Sequence, residues 1–506
     1  MPMVLTCGCQ TIGLSYPILL PLPRGYAIAP KDRQIAELTE ENSSLASQLE
    51  KQKEEISELK QKLGLNSHNS SISSAKEGFN KPPKNKSLRE PSGNNPGAQK
   101  GHKGANINLP HKPDEEVEHF PEKCRKCPFL EKCRQDGKVF RRGECRYELN
   151  VVLYVKVTAH HVIEVASCPH DKSTLKMKGR FPDNIRGYIQ YGDSFAVLAG
   201  LLSTYGAISV NRIHDLLGSM FGVSISTGTI MSMVSKCAKQ VGPILPEIRK
   251  LIANSDVSHF DETGTDMNGR IFWVHCSSTG QLTLLTANQK RGKDGMDDNG
   301  VLPLYRGTAV HDCWGPYWNY PNVNHAVCCA HILRELNWVI EFIPEHTWAA
   351  AFRDLLLKMK KAKEDAIERG EKELSSDLLS EFDKEYDRIL RIADEECPDP
   401  PDPPDRKRDR KKKGKERALI ERLRRLKDSV CLFVHDFAVP FTNNQAERDV
   451  RNVKTKTKIA GSFRTEDGVQ DYLDIMSYLG TAQKHKISVF EALTAAFNGN
   501  PEIIFG

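Results

Sequence analysis

Two aspartates, each closing a short apolar run, and one glutamate on an amphipathic stretch constrain this chain more than any other feature. The stretches are Ser258-His-Phe-Asp261-Glu-Thr-Gly264, Ala309-Val-His-Asp312-Cys-Trp-Gly315 and Thr442-Asn-Asn-Gln-Ala-Glu447-Arg448. A short apolar run reads as a strand, so the first two stretches deliver a carboxylate at a strand end. The third reads as the start of a helix. Two strand-end Asp and one helix Glu can converge on a pair of divalent metals, which clamp the attacking and leaving oxygens of an in-line phosphoryl displacement. Magnesium, or manganese in its place, suits such an oxygen-rich site with open water positions.

The sequence around these acids alternates strands and helices. Val257–Phe260, Ile271–Cys276 and Leu282–Thr286 read as strands joined by polar turns containing Gly264, Gly269 and Gly280. Thr308–His311 and Ala326–Cys329 add two more, and His331–Phe342 reads as a helix. Three strands in meander followed by strands with helices suit a ribonuclease-H-like α/β core, expected over 251–344 and 436–506. Glu447 is far from Asp312 in sequence, so a compact core requires an inserted subdomain between them. The charged, helical stretch 345–435 supplies it, divided by Pro398-Asp-Pro-Pro-Asp-Pro-Pro404 and a basic run from Arg406 to Arg417.

Other acids near Glu447 fit the role less well. Glu262 alternates to the opposite face of a strand from Asp261. Asp449 falls about 200° around a helix from Glu447. Glu466 and Asp467 read as turn residues after Gly461-Ser-Phe. Arg448, Arg451, Lys454, Lys456 and Lys458 follow Glu447 and are candidate contacts to a DNA backbone. His311 beside Asp312 either orients that acid or caps its strand. Asn443 and Asn444 are candidates to hold phosphate or water.

A chain of 506 residues exceeds a single core, and its N-terminal half reads as a series of modules. Residues 1–30 form a leader expected to be disordered; its apolar part is broken by Pro17 and Pro21 and lacks a signal peptide's basic start. From 31 to 65 a heptad places Ile35, Leu38, Leu45, Leu49, Ile56, Leu59 and Leu63 on one seam, with Asn42 and Gln52 as polar interruptions. Such a seam predicts a coiled coil and homo-oligomerisation. Residues 66–112 are a basic linker too poor in apolar residues to fold.

Within 113–180, Cys124-Arg-Lys-Cys127 has zinc-ligand spacing. Cys168 is the expected third ligand, and His170, Cys133 or Cys145 the fourth, in a small β module built on alternation from Arg146 to His161. Residues 181–250 read as helices, with Val210–Phe221, a turn at Gly222–Ser226 and Thr227–Val241 spaced like a helix-turn-helix. The fourteen cysteines, several inside apolar runs, suit a reducing interior rather than a disulfide framework, and so a cytoplasmic protein. No stretch approaches the ~20 apolar residues that a membrane helix needs.

Taken in order, these motifs resemble one family. The Asn/Ser-rich linker ending in Gly101-His-Lys-Gly104, the CxxC, Asp261-Glu-Thr-Gly, His311-Asp-Cys-Trp-Gly with Tyr317, Cys329-Ala-His331 with Arg334, Asn443-Asn-Gln-Ala-Glu-Arg448 and Ala460-Gly-Ser462 are similar to the bacterial DDE transposases of insertion-sequence family sixty-six. Where members carry a second CxxC, this chain has Cys168-Pro-His-Asp171. The resemblance implies Asp261, Asp312 and Glu447 as a catalytic triad. It also implies DNA, both element ends and target, as substrate, with accessory proteins of the element as possible partners. Two other classes remain: a non-catalytic DNA-binding regulator, and a structure-specific nuclease that cleaves without joining strands.

Overall fold

Strand pairing around Asp261 organises the computed structural model of this chain into a five-stranded mixed sheet clad by helices. The structure describes residues 116–136, 153–165, 177–400 and 414–505, together with positions 38, 39, 41–45, 48, 52, 112 and 146. The chain divides into two units, residues 1–67 with 72–76, and the remainder. In the first, the described positions are helical, and the seam residues Leu38 and Leu45 are exposed. The seam positions Ile35, Leu49, Ile56, Leu59 and Leu63 lie outside the described residues, as do the linker and the basic run 406–413.

In the second unit, β1 (Val257–Met267), β2 (Arg270–Ser278), β3 (Thr283–Asn288), β4 (Thr308–His311) and β5 (Asn324–Val327) lie in the order β3-β2-β1-β4-β5. The first three form an antiparallel meander, and β1–β4 and β4–β5 are parallel. The β1–β2 hairpin closes through Asn268 and Gly269 at φ 50° and 80°, the pair that a tight two-residue turn favours because both positions need positive φ. Here the structure departs from the sequence reading. Gly264 lies inside β1, opposite Trp273, instead of in a turn. β2 pairs with β1 along its whole length, and that ladder overrides the turn-like composition of Asp261-Glu-Thr-Gly.

Each face of the sheet has its own core. On one, Phe260, Leu284, Ala309 and Tyr305 pack with four preceding helices, α1 (Asp193–Ser203), α2 (Val210–Phe221), α3 (Thr227–Val241) and α4 (Leu245–Ala253). A short α5 (Lys293–Asn299) follows β3, and α6 (Cys329–Phe342) follows β5. The insertion is helical: α7 (Trp348–Glu368), α8 (Ser376–Glu396), α9 (Lys415–Arg425) and α10 (Lys427–His435), the last returning the chain to β5. Then come α11 (Asn444–Ala460), α12 (Glu466–Lys484) and α13 (Val489–Phe497). On the second face, Val274, Cys276 and Leu285 pack against Ala446, Val450 and Val453 of α11 and Leu473 and Met476 of α12. Ile475 and Leu479 of α12 belong to the first core, so this helix ties the two together.

The pair α2 and α3 has the spacing of a helix-turn-helix. Gly222 at φ 66° ends α2, and Ser226 Oγ caps α3 by accepting from Thr229 N–H. Ile230, Met233, Val234, Cys237, Ala238 and Val241 bury one side of α3, which packs against α1 and α12. Gly200 of α1 lets that contact close: a Cβ there would stand 2.6 Å from Cys237 Sγ. Among the described residues, no helix is long and apolar enough to cross a membrane.

Candidate active site

Register alone brings the two aspartates together. β1 and β4 pair in parallel, Val257 with Thr308 through His259 with Val310. The same register carried two residues further sets Asp261 level with Asp312. β4 and β5 pair His311 with Val327, so Cys328 follows at the same level. β4 ends at His311, and Asp312 Oδ1 accepts the Trp314 N–H at 2.8 Å, which holds the carboxylate at the mouth of the sheet.

Glu447 arrives on the first turn of α11, which lies across β1 and β2. Asn443 anchors that turn. Its Nδ2 donates to the Phe260 carbonyl at 2.7 Å, its Oδ1 pairs with His259 Nδ1 at 2.9 Å, and its backbone N–H donates to Cys328 Sγ at 3.1 Å. Asn443 is buried, and these bonds commit it to structure rather than to phosphate. Asn444 is exposed. Glu447 has His331 Nδ1 at 3.8 Å and the Arg334 guanidinium at 4.0 Å, both on α6.

Asp261 senses the other acids. Burial, then the charges of Glu262, Glu447 and Asp312, hold the Asp261 carboxyl well above the usual carboxylate range. Like charges packed this closely are costly unless a proton or a cation intervenes. Among the described residues, Glu447 Oε1 and His331 Nδ1 are both buried without a hydrogen-bond partner. Among the described residues, Cys328, His331 and Glu447 form a donor group whose ligand atoms lie within 4.8 Å of one another. This group, with its two unsatisfied ligand atoms, fits a divalent cation, and Asp261 and Asp312 are not among its members.

Behind β1 the adjacent acid is handled differently. Glu262 accepts two hydrogen bonds from Arg291, at 3.1 and 2.7 Å, and one from Tyr317 Oη at 2.7 Å. The Arg291 guanidinium sits 4.8 Å from the Trp273 ring and 4.2 Å from that of Trp314, the residue whose N–H holds Asp312. Tyr317 stacks on His311 at 4.3 Å between centroids. His311 Nε2 meets His325 Nδ1 at 2.9 Å, and its Nδ1 meets the Asp312 carbonyl oxygen, so it orients the backbone there. Burial pushes its imidazolium down to about 3. Nothing in the local sequence marks Arg291 for this part, since its partners come from three other segments. Arg422 of α9 likewise reaches Glu335 of α6.

The remaining candidates separate by position. Arg448, Arg451, Lys454 and Lys458 are exposed. At 100° per residue, 451, 454 and 458 fall within about 40° of Glu447, so three cations run along α11 from the acid. Lys456 lies on the other side, its ammonium 3.6 Å from the Phe463 ring centroid, and burial lowers it to about 8. Asp449 binds Lys484 at 2.8 Å and accepts from Ser278 and Thr283, apart from the cluster. Glu466 and Asp467 occupy the first turn of α12, not a loose turn. Cys124, Cys127 and Cys133 are half-buried on or beside two short helices, Glu122–Arg125 and Leu130–Gln135. Cys145, Cys168 and His170 lie outside the described residues.

The mixed sheet carries Asp261 within β1, still paired with Cys276, and Asp312 just past the end of β4, so only the second of the two aspartates closes its strand. Residues 194–471, more than half of the chain, match the family described as Transposase IS66 family. The chain belongs to that family, and DNA transposition is the activity the family carries. Residues 27–108 match a second family, DUF6444, of unknown function. No protein of curated function matches the chain.

Proposed function

We propose that the protein is a DDE transposase that binds the ends of its element and carries out two successive in-line reactions. Water first cleaves the phosphodiester at the element's end; the freed 3′-hydroxyl then attacks a target phosphodiester and displaces its 3′ oxygen. The core is read as ribonuclease-H-like, a reading supported by the β3-β2-β1-β4-β5 order with a single antiparallel meander. What supports the proposal most is that the parallel register sets Asp261 level with Asp312 and that Asp261 feels the charges of both Asp312 and Glu447.

Asp261, Asp312 and Glu447 would hold the divalent ions, Mg²⁺ or Mn²⁺. Bound ions supply the positive charge that stabilises the attacking and leaving oxygens. The chain's own contribution is placement. The Trp314 N–H and the His311 contact fix Asp312, while Asn443 fixes the turn that carries Glu447. Arg334 stands beside Glu447, where a guanidinium can engage a phosphate oxygen. Arg448, Arg451, Lys454 and Lys458 hold the DNA backbone. Self-association through 31–65 and a zinc ion on Cys124, Cys127, Cys168 and His170 or another nearby donor belong to the same reading.

Incubating the full chain with a labelled end fragment, target DNA and Mg²⁺ tests the proposal. Cleaved and joined products, both lost in Glu447→Gln, are expected. Cleavage without joining would make the protein a nuclease on this core, and binding without either would make it a regulator.

A further inference from the structure

The most unusual atoms near the acids are not carboxylate oxygens of strand residues. His331 Nδ1 and Glu447 Oε1 face each other at 3.8 Å, both buried and neither hydrogen-bonded among the described residues. A buried polar atom left without a partner is destabilising. Two such atoms aimed at each other, too far apart for a hydrogen bond, leave room for a third body between them. Donors that each stand about 2.1 Å from one ion lie roughly 3–4 Å apart across the angles that metal sites adopt. The observed separation falls in that range.

The surrounding structure is built to hold this pair. His331 sits in the first turn of α6 and Glu447 in the first turn of α11. The two helix starts are pinned to each other by the Asn443 N–H donating to Cys328 Sγ and the Cys329 N–H donating to the Phe441 carbonyl at 3.1 Å. Cys328 lies three residues before His331, and Asn443 four before Glu447, so the thiol fixes the spacing of the two donors.

We propose that His331, through Nδ1, is a nitrogen ligand of the divalent ion held by Glu447, which tilts that site from Mg²⁺ towards Mn²⁺. Imidazole binds transition metals readily, whereas Mg²⁺ favours oxygen alone. The inference rests on the transposase reading for the ion's presence, but not for its ligand set.

Pulsed electron paramagnetic resonance on the full chain with one equivalent of Mn²⁺ tests it. The parent should show the ¹⁴N coupling of a directly coordinated imidazole. His331→Gln, with its fold checked by circular dichroism, should lose that coupling and hold Mn²⁺ roughly tenfold more weakly against Mg²⁺ competition. Mn²⁺ bound by the parent without nitrogen coupling, or coupling retained in His331→Gln, overturns the proposal. Those results leave the transposase reading standing as long as Asp261→Asn and Glu447→Gln release the ion. If neither variant changes Mn²⁺ binding, the reading of the acids itself fails, and the His331 proposal with it.

Discussion

Asp261 and Glu262 are neighbours on one strand, and the two faces of β1 treat them in opposite ways. Glu262 is satisfied: its side chain is 2% exposed, and Arg291 and Tyr317 donate three hydrogen bonds to it. Asp261 is raised by burial and by the charges of Glu262, Glu447 and Asp312. Buried carboxylates are normally paired, and Glu262 follows the rule. Asp261 has no such cation among the causes of its shift, which supports the proposed divalent ion on its face. Glu262 is held by Arg291 and Tyr317, whereas Asp261 is the acid to which the proposal assigns chemistry.

The comparison is broken most sharply at Glu447. Changing it to Gln should abolish Mg²⁺-dependent cleavage and joining, a loss of roughly 10⁴-fold or more, while end-DNA binding and the unfolding midpoint hold. Gel-shift, strand-transfer and thermal-unfolding measurements on one preparation check all three. Retained cleavage in Glu447→Gln, with loss on changing Glu466 or Asp467, would show that the wrong acid has been chosen.

On the other face the effect should fall on stability. Arg291→Ala leaves Glu262 buried without its cation and frees the Trp314 ring that braces Asp312. A loss of about 2 kcal/mol is expected in urea unfolding, somewhat less than for a fully buried pair because Arg291 is itself half exposed. An unchanged midpoint would mean that the Glu262 face is not the structural one.

The smallest expected effects separate two lysines two residues apart. Lys454→Ala should weaken end binding evenly across sequences and reduce the salt slope by about 1. Lys456→Ala should leave that slope alone and cost stability, because its ammonium lies on Phe463. Equal slopes for both variants would dissolve the row of cations along α11.

Much of the local structure around the candidate site is legible from sequence pattern. The apolar runs before Asp261 and Asp312 are strands, and the helix start at Glu447 fell where the Asn-Asn-Gln-Ala-Glu run suggested. His331–Phe342 was read as a helix that in fact begins at Cys329. What escaped was non-local. The length of β1 depends on β2, so a polar stretch that looks like a turn becomes ladder. Arg291 gains meaning only when Glu262, Trp273 and Trp314 surround it. Asn443 looked available for phosphate, yet its partners come from β1 and the end of β5. Polar residues are assigned by what packs around them, and spacing along the chain does not carry that information.

The central claim is that the Asp261 face is incomplete without a cation, and thermal unfolding at varied pH measures this directly. The folded-state pKa of Asp261 is raised above its ordinary 3.8. Its contribution to stability is therefore full below 3.8 and is lost as pH rises through the raised value. In chelator the parent should weaken along that rise, Asp261→Asn should lack this component, and at neutral pH the variant should melt above the parent. Adding Mn²⁺ at about 100 times its dissociation constant should stabilise the parent by about 2.7 kcal/mol and leave Asp261→Asn nearly unmoved. A variant that melts below the parent in chelator, or one that Mn²⁺ stabilises as much as the parent, would contradict the account.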